Sequence, residues 1–130
     1  MIDKETRVIA VDLDGTILDF SWEKWVTYGV IYLGNPKTAA IAALKFLQNI
    51  GYKIVIHTAR INSVNQNMLT EIRQRQEWLE NALKELEIPF DELWTGEGKP
   101  IADFYIDDKA IKFIDWQQVL GDIIAAGKNK

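Results

Sequence analysis

Short apolar runs alternate with longer amphipathic segments along this chain. Strand-like apolar runs lie at Val8–Val11, Ile54–His57, Glu92–Thr95 and Asp103–Ile106. The segments between and after them carry apolar residues at the spacing of one helix face. Such an alternation is typical of a parallel sheet covered by helices on both faces. The pattern therefore predicts one domain over residues 1–130, with a three-layer α/β/α, Rossmann-like fold and a central parallel sheet.

Residues that favour helix ends mark three helices within this pattern. The first is predicted to start at Asn35-Pro36, an N-cap residue followed by proline, and to end at Gly51. The second is predicted to run from about residues 64–67 to Glu87, shortly before a proline that ends it. The third is predicted over residues 115–126, with an aspartate as its N-cap residue.

Polar residues directly follow three of the predicted strands. Asp12 and Asp14 follow the first, Thr58-Ala59-Arg60 follows the second, and Asp107-Asp108 follows the last, with Lys99 shortly before it. In open parallel sheets, sites form at the carboxyl ends of the strands, so these residues are expected to meet. Neighbouring carboxylates repel each other unless a cation or a proton lies between them, and oxygen ligands suit Mg²⁺. A lysine and a threonine hydroxyl are suited to holding the oxygens of a phosphoryl group.

Composition and charge argue against several classes of protein. The chain has 130 residues, a net charge of −4, no cysteine and one histidine. The negative charge argues against a broad basic surface for nucleic acid, and the scarcity of sulfur and imidazole ligands argues against zinc. No apolar stretch approaches the length of about 20 residues that a membrane span requires. The N-terminus is charged and has no apolar signal region, so we expect a cytoplasmic protein without membrane association.

Four motifs of the chain together resemble the haloacid dehalogenase superfamily. Asp12-Leu13-Asp14-Gly15-Thr16 resembles its first motif, and the strand Ile54–His57 followed by Thr58 resembles its second. Lys99 fits the third motif, and the acidic pair Asp107-Asp108 fits the fourth. The stretch from Lys99 to Asp108 is also similar to small members described as capsular-biosynthesis or polynucleotide-type phosphatases. This resemblance implies a haloacid-dehalogenase-like fold and a Mg²⁺-dependent phosphatase.

The resemblance implies a role for each carboxylate. Asp12 would be the nucleophile that forms an aspartyl-phosphate, and Asp14 would act as general acid and then as general base. The Mg²⁺ ligands would be Asp12, the backbone carbonyl of Asp14, and Asp107. Asp108 would either share the metal or fix the position of Lys99.

The same resemblance implies that Thr58 and Lys99 bind the phosphoryl oxygens. Lys109 is an alternative to Lys99, because it directly follows the acidic pair. Arg60 has two interpretations, recognition of a substrate anion or a surface salt bridge. His57 is interpreted as structural, because strand alternation turns it away from the face used by Thr58.

The segments between the motifs are too short for an inserted cap domain. Each must already supply a helix and a strand, and a further domain would need about 50 residues more. The expected cover for the cleft is residues 19–34, which we call the aromatic flap. Its rings are suited to stacking on a sugar or base, to a contact between two copies in a homo-oligomer, or to packing on the domain's own core.

The function expected from the sequence is hydrolysis of a phosphate monoester, with Mg²⁺ as cofactor. A phosphorylated small molecule such as a sugar phosphate is the expected substrate, and a polynucleotide end is the alternative partner. Three other functions remain open: a polynucleotide 3′-phosphatase, a phosphotransferase or mutase, and a binding module without catalysis on the same fold.

Overall fold

A four-stranded sheet forms the middle of the fold. The structure is a computed structural model that describes residues 7–61 and 69–127, and the side chains of all these except residues 69–72. In these ranges the strands are β1 (Arg7–Asp12), β2 (Tyr52–His57), β3 (Glu92–Leu93) and β4 (Phe104–Ile106). The α-helices are α1 (Trp22–Tyr28), α2 (Ala40–Asn49), α3 (Leu69–Glu85) and α4 (Trp116–Gly127). Two 3-10 helical turns lie at Gly29–Ile31 and Ala59–Ile61.

The strand order is β3-β2-β1-β4, and every neighbouring pair is parallel. The chain passes from β1 outward to β2 and β3, and then returns to β4 on the other side of β1. The order therefore reverses between β1 and β4, and such a reversal opens a crevice beyond the carboxyl ends of these two strands. The predicted α/β class, with a central parallel sheet and a Rossmann-like topology, is confirmed.

The core lies between one face of the sheet and two helices. Ile9 and Val11 of β1 align with Ile54 and Ile56 of β2, which places all four side chains on the same face. They form one buried cluster with Leu44 of α2 and with Leu79 and Leu83 of α3. Ala10, on the opposite face of β1, is also buried, as predicted for a strand covered on both faces. This packing fixes β1, whose end carries the first acidic residue.

The predicted start of the helix at Asn35-Pro36 is wrong. Helix α2 begins at Ala40, and Ala39 is its N-cap residue. Pro36 instead forms an antiparallel bridge with Leu18, and the Lys37 N–H donates to the Ile17 carbonyl at 2.8 Å. These bonds hold the segment as extended backbone against the turn after β1, which prevents the helix from starting there.

The other helix predictions agree with the structure where it describes them. The third predicted helix is α4, and the Asp115 carboxylate accepts from the Gln118 N–H at 2.9 Å as predicted for its cap. The second predicted helix is α3, which ends at Glu85. Its predicted start at residues 64–67 lies outside the described residues.

The last third of the described chain exposes many apolar side chains. All three residues of β4 are exposed, and α4 contains no buried residue. The exposed side chains of α4 include Leu120, Ile123 and Ile124. Strand β4 is nevertheless in place, because it pairs with β1 and the Val8 N–H donates to the Asp103 carboxylate at 2.7 Å.

The aromatic flap is a small unit whose rings pack mainly on one another. Phe20 contacts Trp25 and Tyr32, with ring centroids 6.2 and 6.0 Å away. The outer rings of Trp22 and Tyr28 are exposed, while Leu33 packs against the core. The chain between β1 and β2 forms only the flap and α2, so it holds no cap domain, as predicted.

Among the helices that the structure describes, none combines the length and the apolar character needed to cross a bilayer.

Candidate active site

A tight turn after β1 shapes the middle of the site. The buried Leu13 anchors this turn, and its carbonyl accepts from the N–H groups of Ile17 and Leu18, both at 3.0 Å. Gly15 has a φ of +87°, a conformation that favours glycine. A Cβ atom at Gly15 would lie 2.5 Å from Oδ2 of Asp108. Glycine is therefore required here both by the backbone and by the close approach of that carboxylate.

Three carboxylates meet at the switch in strand order. Asp12, Asp107 and Asp108 each offer an oxygen, and these three oxygens lie within 4.8 Å of one another. We call these three residues the acidic cluster. They come from the ends of β1 and β4, as expected from their positions after neighbouring parallel strands. Sharing of a cation by Asp108 therefore agrees with the geometry, whereas no ion pair joins Asp108 to Lys99 among the described residues.

The hydroxyl of Thr16 connects the two loops that carry the acidic cluster. It donates to Oδ2 of Asp12 at 3.4 Å and accepts from the Asp108 N–H at 3.1 Å. This residue was missed by the sequence interpretation. A signal was present, because a threonine directly after Asp-Gly lies one turn beyond Asp12 and is placed to return its hydroxyl to that carboxylate.

Burial and negative neighbours change the proton affinity of Asp12. Partial burial raises its pKa to about 6, and the charges of Asp107, Asp108 and Asp14 contribute in the same direction. The hydrogen bond from the Leu13 N–H opposes this rise. A cation bound between these carboxylates would offset the repulsion between their negative charges.

The donor set of the acidic cluster fits Mg²⁺. All of its ligand atoms are carboxylate oxygens, which Mg²⁺ prefers, and Mg²⁺ sites in proteins commonly use one or two carboxylates and retain several waters. The exposure of Asp107 and Asp108 leaves room for such waters. The side chain of Asp14 is not part of the cluster.

Both oxygens of the Asp14 carboxylate are bound by Arg60. The Arg60 Nε–H donates to Oδ2 at 2.7 Å and the Nη2–H donates to Oδ1 at 2.9 Å. The third nitrogen, Nη1, donates to the Val30 carbonyl in the flap at 2.9 Å. Of the two interpretations of Arg60, the salt bridge is present, but it is not a surface one, since only 6% of the Arg60 side chain is exposed. Arg60 connects β1, β2 and the flap.

An aromatic ring of the flap covers this ion pair. The Arg60 guanidinium lies 4.9 Å from the ring centroid of Trp25, a cation–π distance. Asp14, Arg60, Trp25, Phe20 and Ala59 line a cavity of about 190 Å³. The sequence placed Trp25 in the flap but gave no sign of this contact, because it depends on how the flap folds back over the sheet.

Thr58 directly follows β2 and is buried, with 3% of its surface exposed. Its hydroxyl accepts from the Arg60 N–H at 3.3 Å, which orients the turn that carries the arginine. His57 precedes it, and aligns with Asp12 in the strand register.

The two candidate lysines are both exposed. Lys99 is exposed, and its Nζ lies 3.9 Å from the ring centroid of Tyr105. In the described part of the chain, no carboxylate lies within 4.0 Å of its ammonium group. Lys109 is also exposed, and its backbone N–H donates to the Asp107 carboxylate at 2.7 Å. The structure thus brings together the acidic cluster, Asp14 and Arg60, whereas the Lys99 side chain contacts Tyr105.

The solved structures that are similar to this chain include the following two. A conserved protein from Bacteroides thetaiotaomicron is 22% identical over 94% of this chain and 93% of its own, with a TM-score of 0.51. A protein from Vibrio cholerae is 24% identical over 88% of this chain and 94% of its own, with a TM-score of 0.48. No family model and no curated protein matches the chain. The likeness to the Bacteroides protein shows a shared fold and no more.

Proposed function

We propose that this protein is a Mg²⁺-dependent phosphatase similar to the haloacid dehalogenase superfamily, and that it hydrolyses a phosphate monoester through an aspartyl-phosphate. The observation that supports this proposal best is the acidic cluster at the switch in strand order, with Asp14 two residues after Asp12. A nucleophile, a proton donor and metal ligands are then available in one crevice. A small phosphorylated metabolite is the proposed substrate.

The reaction has two displacement steps at phosphorus. In the first, an Asp12 oxygen attacks the phosphorus in line, the bond to the leaving oxygen breaks, and Asp14 gives that oxygen a proton. In the second, Asp14 takes a proton from water, the water oxygen attacks the phosphorus, and the bond to Asp12 breaks. Inorganic phosphate and the free alcohol are the products.

Asp12, Asp107, Asp108 and the backbone carbonyl of Asp14 would hold the metal. Bound Mg²⁺ would supply charge that lowers the repulsion between the Asp12 carboxylate and the phosphoryl oxygens. Thr58 would donate its hydroxyl to one phosphoryl oxygen, and Lys99 would reach another by turning away from the Tyr105 ring.

Asp14 needs a change of partner before it donates a proton. An ionised carboxylate only accepts hydrogen bonds, and both of its oxygens now accept from Arg60. One of these two bonds has to open when the proton is bound. The arginine is therefore a positioning residue for the proton donor in this proposal.

The test is phosphate release from a panel of esters, with Mg²⁺ and with EDTA. The panel runs from an activated aryl phosphate through sugar phosphates and nucleotides to a 3′-phosphorylated oligonucleotide. Asp12→Asn should abolish release, whereas Asp122→Asn, an exposed change on α4, should not. Release that survives EDTA or Asp12→Asn would contradict the proposal.

The same panel separates the alternatives. Preference for the oligonucleotide would indicate a polynucleotide 3′-phosphatase. A burst of phosphoenzyme that is discharged only by an added alcohol or sugar would indicate a phosphotransferase or mutase. Binding of Mg²⁺ by a folded protein that turns over no ester would indicate a module without catalysis.

A further inference from the structure

A second, larger cavity lies next to the candidate active site. Its volume is about 430 Å³, and it lies between the 3-10 turn of the flap and helix α3. Its walls include Val30 and Ile31 from the flap, and Trp78 and Leu79 from α3. We call this cavity the flap cleft. Its size is in the range of small-molecule sites.

Arg60 is shared by the flap cleft and the smaller cavity that contains Asp14. The two cavities are therefore neighbours that share one arginine. Asp14 is the proposed proton donor to the leaving oxygen, so the leaving group extends past Asp14. The flap cleft shares Arg60 with the cavity that contains Asp14, so it is a candidate space for that leaving group.

The chemistry of the flap cleft is apolar with two positive groups. Trp78 and Ile31 provide apolar surface, because 42% and 67% of their respective residue surfaces are exposed. Arg75 lines the cleft together with Arg60. Within the described residues, no carboxylate lies within 4.0 Å of the Arg75 side chain. Arg60 and Arg75 give this cleft two positive side chains among its walls.

Arg60 also keeps part of its hydrogen-bonding capacity. A guanidinium carries five N–H donors, and the described contacts engage one on each of its three nitrogens. Its remaining donors are suited to a carboxylate or phosphate at the inner end of the cleft.

We propose that the flap cleft binds the leaving group of the substrate, and that this group is an aromatic ring bearing a second anionic group. This inference rests on the proposed phosphatase function. The ring stacks on Trp78, and the anionic group lies between Arg60 and Arg75. The substrate class is therefore an aryl or nucleoside phosphate with an additional carboxylate or phosphate, rather than a sugar phosphate whose leaving group is an uncharged sugar.

Binding is tested separately from catalysis with a ligand that carries no phosphoryl group. Asp12→Asn protein without Mg²⁺ is titrated with 2-naphthoate and with neutral 2-naphthol in a calorimeter. We expect 2-naphthoate to bind more tightly, because only it has an anionic group for the arginines. Trp78→Ala should weaken 2-naphthoate about tenfold and Arg75→Gln about threefold.

Two matched variants control for general effects. Arg73→Gln removes an exposed arginine from the same helix, and Trp116→Ala removes an exposed tryptophan from α4. Neither residue lines the flap cleft, so both should bind 2-naphthoate as the parent does. Arg75 is exposed, and its variant keeps the test valid even where Trp78→Ala fails to fold. Equal affinities for all variants would overturn the inference.

Kinetics connect the cleft to the leaving group. In the otherwise unchanged protein, Trp78→Ala and Arg75→Gln should lower kcat/KM for 4-carboxyphenyl phosphate and leave kcat/KM for methyl phosphate unchanged. An equal loss of kcat/KM for both esters, or no loss for either ester, would overturn the inference and leave the phosphatase proposal intact. Binding of 2-naphthoate in the cleft with no turnover of any ester would overturn the phosphatase proposal, and the assignment of a leaving group with it.

Discussion

At the scale of single residues, Asp12 combines a destabilising environment with the central position in the site. Its pKa is raised to about 6 because it is partly buried among other carboxylates. A carboxyl whose pKa is raised by folding favours the fold when protonated and opposes it when ionised. The metal-free protein therefore loses stability from this group as the pH rises from about 4 through about 6.

Asp12→Asn should relieve this cost. In EDTA near pH 7.5, we expect the variant to be more stable than the parent by about 1 kcal/mol, since a shift of about 2 units corresponds to about 3 kcal/mol before solvent screening is allowed for. Near pH 4 the difference should be small, because Asp12 is then protonated in the folded state and about half protonated in the unfolded state. Thermal unfolding across this pH range measures the effect.

Asp122→Asn is the control for removal of one negative charge at an exposed position. Equal stabilities of the parent protein and Asp12→Asn at every pH would contradict the claim that ionised Asp12 opposes folding.

Sequence reasoning at this scale identified residues at strand ends and missed contacts that depend on the flap. Asp12, Asp107 and Asp108 were predicted together because the ends of neighbouring parallel strands meet at one edge of a sheet. The pairing of Arg60 with Asp14 and the stacking on Trp25 join positions on different loops. No local pattern encodes the path of those loops.

At the scale of elements, the turn after β1 is the part of the site most sensitive to a small change. Gly15 and Gly29 both have a positive φ, so alanine is strained at either position. Only at Gly15 does the added Cβ atom meet a neighbour, the Asp108 carboxylate; at Gly29 nothing lies within 4 Å. The two glycines therefore form a matched pair.

Gly15→Ala should weaken Mg²⁺ binding, whereas Gly29→Ala should not. Both variants should lose about 1 kcal/mol of stability from backbone strain. In addition, Gly15→Ala pushes Asp108 away from Asp12 and Asp107, which we expect to raise the Kd for Mg²⁺ about tenfold. Calorimetric titration with MgCl₂ measures this. Equal Mg²⁺ affinities for the two variants would show that Asp108 takes no part in the site.

The strands were easier to predict than the start of α2. Each strand lies in a short run that is recognisable from the local sequence, and all four were found close to their observed bounds. The start of α2 was misplaced because Pro36 is held in a bridge with Leu18, a contact set by the tertiary fold. Local helix signals at Asn35-Pro36 were overridden by that bridge.

At the scale of the whole molecule, the acidic cluster joins two parts of unequal burial. Asp12 extends from the buried strand β1, whereas Asp107 and Asp108 follow the exposed strand β4. The C-terminal part exposes apolar side chains on β4 and α4, and exposed apolar surface of this kind is commonly covered by a partner. A homo-oligomer and a cytoplasmic location stay predictions.

Mg²⁺ should therefore stabilise the molecule, because its ligands would link the end of β4 to the end of the buried strand β1. At a Mg²⁺ concentration of about ten times the Kd, we expect a gain of about 1.4 kcal/mol and slower amide exchange in β4. Asp107→Asn should lose most of this gain, whereas Asp122→Asn should keep it. Thermal unfolding and hydrogen exchange with and without Mg²⁺ check both effects. No gain in the parent protein would contradict a metal site at this edge of the sheet.

The two ends of the aromatic flap lie against each other. The Asp19 N–H donates to the Asn35 carbonyl at 2.8 Å, and Gly34 approaches Asp19 so closely that a Cβ atom would lie 1.8 Å from its carbonyl oxygen. A segment whose ends already touch is exchangeable: another segment of different length or composition fits the same two anchor points without disturbing the sheet. Variation of the flap would then change the walls of the proposed flap cleft while the acidic cluster is left unchanged.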